Sequence, residues 1–121
     1  MSKRKRNNFR ELNVWKKSRS NNPRIYKLME KLPEEEKYGI ISQAKRASVS
    51  IMTNISEGAG RRTDKDFVNF LGFAHGSSTE VENLLIASMD LGYITPDDFK
   101  EHEVYLHEIQ KMLNGLMNTL E

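Results

Sequence analysis

Apolar side chains recur along this chain at alternating steps of three and four residues and almost nowhere at steps of two, a pattern that suits amphipathic helices and argues against sheet. In the segment from Glu34 to Glu57 the stripe is Ile41, Ala44, Ser48, Ile51 and Ile55. Gly58-Ala59-Gly60 follows, with Gly58 placed for a left-handed C-cap. Thr63 caps the next segment, and Asp66, three residues on, gives an aspartate version of the capping box. Phe67, Leu71, Ala74, Ser78, Val81, Leu85 and Ser88 carry that stripe to Leu91, and Gly92 stops it. Thr95-Pro96-Asp97-Asp98 then supplies a cap, a first-turn proline and carboxylates for the positive end of a helix dipole. Phe99, Leu106, Ile109, Leu113, Leu116 and Leu120 form the stripe behind it. The first stripe, Leu12, Trp15, Ile25, Leu28, Met29 and Leu32, is interrupted by Ser18, Asn21, Asn22 and Pro23. A proline inside a helix removes a hydrogen bond and costs about 3 kcal/mol, which predicts a kink or break near residues 20–23. Leu32-Pro33 ends the segment, because a residue before proline avoids helical geometry.

Four helices with short links predict an all-α, antiparallel four-helix bundle over residues 9–121, behind a basic flexible tail over residues 1–8. Ala44, Ala47, Ser48, Ala74, Ser77 and Ser78 would let the second and third helices approach closely. Phe70, Phe73, Leu84 and Ile86 do not all fit the stripe through Phe67 and Leu71, and this surplus apolar surface suggests an interface between copies of the chain. A length of 121 residues suffices for one ordinary core without metal or disulfide support. The absence of cysteine removes disulfides, thiolate nucleophiles and zinc-thiolate sites and suits a reducing compartment. The basic start leads into no apolar signal region and no later run is long enough to span a bilayer, so the chain reads as cytoplasmic.

The net charge of +2 conceals a strong asymmetry: residues 1–31 carry +9, residues 32–62 carry +1 and residues 63–121 carry −8. Segregation of this kind favours contact between the basic part and phosphate or an acidic partner. The competing reading is that the opposite ends neutralise each other within the fold or between subunits.

The run Tyr38-Gly39-Ile40-Ile41-Ser42-Gln43-Ala44-Lys45-Arg46-Ala47, continuing to Asn54-Ile55-Ser56-Glu57-Gly58-Ala59-Gly60-Arg61, closely resembles the signature of the 23S rRNA intervening-sequence family, also called the S23 or four-helix bundle family. Val14-Trp15, Ile25-Tyr26, Phe70-Leu71, Gly76-Ser77 with Glu80, Leu91-Gly92-Tyr93 and Met112-Leu113 extend the likeness over nearly the whole chain after Asn8. The resemblance implies a bacterial origin, a four-helix bundle and a ring-shaped homopentamer, as in the similar accessory variability proteins of diversity-generating retroelements. Those relatives use a basic surface to engage a reverse transcriptase and nucleic acid. The chain departs from the family pattern at Ser56, where alanine is common, and at Asn21 and Pro23, where an uninterrupted helix is common.

The candidate nucleic-acid-binding residues are Lys3, Arg4, Lys5 and Arg6 in the basic tail, with Lys45, Arg46, Arg61 and Arg62. Arg46, Arg61 and Arg62 would grip phosphates, helped by the backbone N–H groups that open the third helix. Asn54, Glu57, Gly58 and Gly60 belong to the family motif, and the competing reading of this cluster is structural. Arg46 and Glu57, eleven residues apart on one helix face, would lock helices or subunits, and Asn54 would satisfy a buried polar position. The glycine-containing turn lacks the Gly-Lys-Ser/Thr ending of a phosphate loop. A di-iron bundle requires Glu-x-x-His, yet Gly72, Phe99 and Val104 stand three before His75, His102 and His107. Glu103 and His107, four apart, are expected to pair on the helix surface. No serine lies in a Gly-x-Ser-x-Gly turn. The reading is a non-enzymatic, self-associating scaffold without cofactor or metal that binds RNA or DNA, or a nucleic-acid enzyme such as a reverse transcriptase. The alternative is an adaptor that binds protein alone.

Overall fold

Each of the four stripes folds as a helix. The computed structural model describes Arg4 and residues 6–121 and contains α1 (Asn13–Met29), α2 (Ile40–Ala59), α3 (Asp64–Asp90) and α4 (Pro96–Leu120). Short 3-10 turns at Phe9–Glu11 and Glu34–Glu36 precede α1 and α2, and there is no strand among the described residues. Successive helices pack against each other and α1 closes the bundle against α4, with the most extensive packing between α2 and α3. Ile25, Ile51, Ile55, Phe67, Leu71, Leu85, Leu106, Ile109 and Leu113 meet in the centre with essentially no exposure. Each such side chain contributes roughly 1.5–3 kcal/mol of transfer free energy. No helix among the described residues is long and apolar enough to cross a membrane.

The helix ends follow local chemistry. Thr95 Oγ1 accepts from the Asp98 N–H at 3.0 Å while the Asp98 carboxylate accepts from the Thr95 N–H at 3.1 Å, a complete capping box behind Pro96. Thr63 forms the first half of the same motif, accepting from the Asp66 N–H at 3.2 Å. At the end of α3, Gly92 takes φ +79°. Its N–H and that of Tyr93 donate to the carbonyls of Met89 and Ser88, both at 2.9 Å, which closes the helix as a Schellman motif.

Three local expectations are corrected. α2 begins at Ile40 and not at Glu34, because Gly39, with φ −104° and ψ −116°, leaves helical geometry. Glu36 bridges the break: its carboxylate accepts from the Ile40 N–H at 3.3 Å and from the Tyr93 hydroxyl at 3.1 Å, tying this connection to the α3–α4 turn.

α1 does not break at Pro23. Val14, Ser18 and Asn21 before the proline and Ile25, Leu28 and Met29 after it are all buried against the bundle, while Pro23 itself faces solvent. Ser48 Oγ donates to the Asn22 side chain at 2.8 Å, and Ser18 Oγ donates back to the Val14 carbonyl at 2.8 Å. Packing on both sides thus holds a helix that the proline alone would disfavour by about 3 kcal/mol. The cost is increased by Asn21, whose fully buried amide has no hydrogen-bond partner among the described residues.

Gly58 is not a left-handed cap. It is buried inside α2, and a Cβ added there would stand 2.7 Å from Phe70 Cβ and 2.9 Å from the Phe67 ring. The residue is needed for the close approach of α3, in line with the small residues expected on both helices. Gly60 ends α2 with right-handed geometry, φ −86°. Of the four surplus apolar residues, Leu84 is buried and Phe70 half-buried, whereas Phe73 and Ile86 remain 60% and 39% exposed.

Candidate nucleic-acid interface

Many of the basic residues fall into three groups by what surrounds them. Lys3 and Lys5 lie outside the described residues. Arg4 and Arg6, expected in a solvated tail, rest on the α2–α3 turn instead. The Arg4 guanidinium donates to the Ala59 carbonyl at 2.9 Å and the Arg61 carbonyl at 3.0 Å, pairs with Asp64 at 3.2 Å, and stands 4.4 Å from the centre of the Phe67 ring. It also donates to the side chain of Asn7. Arg6 Nε donates to the Gly60 carbonyl at 2.8 Å. The last carbonyls of a helix lack intrahelical donors and carry partial negative charge, so two guanidinium groups at the end of α2 are well matched to it. Arg4, with its side chain only 9% exposed, is thereby committed to the fold rather than offered to a ligand.

The second group lies along the seam between α1 and α4. Lys17 pairs with Glu108 at 2.6 Å, Arg24 with Glu101 at 3.5 Å and Lys31 with Asp98 at 3.0 Å. Tyr105 lies between the first two, with Lys17 Nζ 3.8 Å and the Arg24 guanidinium 4.5 Å from its ring centre. The hydrogen bond to Glu108 holds the Lys17 ammonium above its ordinary pKa, against opposing desolvation. The opposite ends of the chain therefore neutralise each other in part within the fold, on one side of α1.

The outward side of α1 and its neighbour α2 carry the third group, with Lys27 at the rim of the α1–α4 groove beside Arg24 and Lys31. Lys16, Arg19 and Lys27 are exposed on α1, Lys45 and Arg46 lie on α2, and none of the five forms an ion pair among the described residues. Aromatic rings underlie two of them: Arg19 stands 5.6 Å from the Trp15 ring centre and Lys45 4.9 Å from that of Tyr26. Cations interleaved with aromatic faces can meet both the phosphates and the bases of a nucleic-acid strand. Lys16, Arg19 and Lys27 were not singled out from the sequence, although their steps of three and eight residues place them on one stripe of a helix.

Arg61 and Arg62 are exposed at the α2–α3 turn, Arg61 over the Phe70 ring at 4.4 Å. They do not join Lys45 and Arg46, because the pairs stand fifteen to seventeen positions apart in the chain, mostly along α2 itself, which separates them by roughly 20 Å. Arg46 and Glu57 share a face but stand about 16 Å apart along the axis, too far to pair with each other. Asn54 is half-buried and bonds within its own helix: its amide donates to the Ser50 carbonyl at 2.9 Å and to Ser50 Oγ at 3.0 Å, and Ser77 Oγ donates to Ser50 Oγ from α3 at 3.0 Å.

His107 does not pair with Glu103, its neighbour one turn back. It meets Glu82 of α3 at 2.9 Å, and Gln110 donates to the other oxygen of Glu82 at 3.2 Å.

The sequence profile of the 23S rRNA-intervening sequence proteins matches residues 10–115. No curated protein matches the chain. Among solved structures, it is similar to a protein of unknown function from the S23 ribosomal protein family of Bacteroides thetaiotaomicron VPI-5482. That crystal structure superposes with a TM-score of 0.77 at 28% identity, over 86% of this chain and 97% of the other. The packed helices, the motif through α2 and its turn, and the profile match over almost the whole length agree, and the chain belongs to the 23S rRNA-intervening sequence protein family.

Proposed function

We propose that the protein is a non-enzymatic scaffold that self-associates and presents the basic α1–α2 face to nucleic acid, alone or together with a nucleic-acid enzyme such as a reverse transcriptase. One observation carries this reading: α4 carboxylates neutralise the side of α1 that faces them, while Lys16, Arg19, Lys45 and Arg46 have no carboxylate partner among the described residues. Phosphate contacts from such a face position a nucleic acid without reading its sequence, and repeated copies in an assembly would multiply them. Exposed Phe73 and Ile86 supply apolar surface for that assembly.

Counterion release provides the test. Fluorescence anisotropy with labelled single-stranded RNA and duplex DNA should show log K falling linearly with log salt, by about 0.9 per phosphate contact for duplex DNA and about 0.7 for single strands. Replacing Arg19, Lys45 and Arg46 with alanine should weaken binding to all sequences alike and make the slope shallower. The Arg61→Ala/Arg62→Ala pair tests the turn separately. No binding at low salt by the folded protein would reject the nucleic-acid role and favour the adaptor that binds protein alone.

A further inference from the structure

We propose that Glu82 of α3, with Glu103 and His107 of α4, forms a site for one divalent transition-metal ion of the zinc, cobalt(II) or nickel(II) class. One donor atom from each of the three residues lies within 4.8 Å of the others. Glu103 and His107 are four residues apart and project from the same side of α4, facing Glu82 across the interhelical groove. Zinc binds histidine nitrogen and carboxylate oxygen at about 2.0–2.2 Å, so small side-chain rotations bring all three donors onto one ion. The imidazole would bind through Nε2, the atom that already meets Glu82 at 2.9 Å, with its proton on Nδ1.

Two further features favour a cation here. Glu82 and Glu103 are half-buried carboxylates from different helices, and neither has a lysine or arginine partner among the described residues. A cation bound between them would supply the positive charge that no lysine or arginine provides. Gln110, outside the donor set, donates to Glu82 Oε1 at 3.2 Å and leaves Oε2 turned toward the histidine. Outer hydrogen bonds of this kind orient metal ligands. One nitrogen and two carboxylates suit borderline transition ions, whereas magnesium and calcium favour sites built from six or more oxygens. With His107 53% exposed, water would complete the coordination. The site clamps α3 to α4 and is independent of the basic face.

Isothermal titration of the full chain, without a polyhistidine tag, with zinc chloride should show saturable binding of one ion per chain. Cobalt(II) should give the visible absorption of a low-coordinate complex, and zinc should raise the thermal midpoint where magnesium does not. His107→Gln keeps an N–H donor for Glu82, and Glu103→Gln keeps the shape of the groove. Each should retain the helical circular-dichroism spectrum and weaken zinc binding about tenfold or more, the scale on which metal sites respond to altered ligand shells. His75→Gln should change nothing. The proposal is overturned if the folded wild-type protein shows no saturable zinc binding, if either site variant binds as tightly as wild type, or if His75→Gln weakens binding as much as His107→Gln.

Discussion

At Gly58 the absence of one carbon sets the distance between two helices. A methyl group there would meet Phe70 Cβ, which moves only with the α3 backbone, so the neighbour cannot yield as the end of a flexible side chain would. Gly58→Ala should destabilise the protein by about 1–3 kcal/mol through overpacking, despite the gain of up to about 1 kcal/mol that alanine brings to a helix interior. Gly72→Ala is the matched opposite, since a Cβ there meets nothing within 4 Å, and it should stabilise by about 0.5–1 kcal/mol. Urea midpoints of the two variants check both signs. The distinction between these glycines was not legible in the sequence, where Gly58 stands beside a real helix end and fits a C-cap equally well. Only the phenylalanines facing it decide the matter. His107 gives the same lesson: an intrahelical partner was visible by spacing, while Glu82 lay on another helix and became a neighbour only through the fold.

For the helices as units, the ends were the most legible features, because capping depends on residues within one turn. Thr95, Pro96 and Asp98 behave as their order predicts, and so does Gly92. The course of α1 was not legible, because its continuity through Pro23 rests on burial by other helices. The α4 cap also makes a prediction about pH. The backbone hydrogen bond from Thr95, followed by the contact with Lys31, holds the Asp98 carboxyl below its ordinary pKa. Burial alone would raise Glu82, but hydrogen bonds from His107 and Gln110 outweigh it and the net direction is again downward. Carboxyls depressed in the folded state contribute stability that is present above their unfolded values and is lost as pH falls through the folded ones. The thermal midpoint should therefore drop as pH falls below about 4, and Asp98→Asn should make the drop smaller. A midpoint whose acid dependence is the same in wild type and variant would contradict the role given to this cap.

The whole molecule divides its charge as well as its apolar surface. The overall asymmetry was legible, but its partition was not: ion pairs with α4 neutralise one side of α1, the α2–α3 turn receives Arg4 and Arg6, and Arg19, Lys45 and Arg46 keep no carboxylate partner among the described residues. The sequence also grouped Lys45 and Arg46 with Arg61 and Arg62, pairs that the length of α2 keeps apart. Light scattering at micromolar concentration should give several times the 14.0 kDa chain mass if exposed Phe73 serves self-association, and Phe73→Ser should lower that mass without loss of helix. A monodisperse wild-type monomer would reject the assembly. The intimate packing of α2 on α3 has a kinetic consequence. These two helices are adjacent in the chain, whereas the ion pairs of the α1–α4 seam join its distant parts, and contacts between near neighbours in sequence close at lower entropic cost. The α2–α3 hairpin is thus expected to be formed in the folding transition state and the α1–α4 seam to close after it. In denaturant-jump experiments Gly58→Ala should then slow refolding, while Lys17→Ala should mainly speed unfolding.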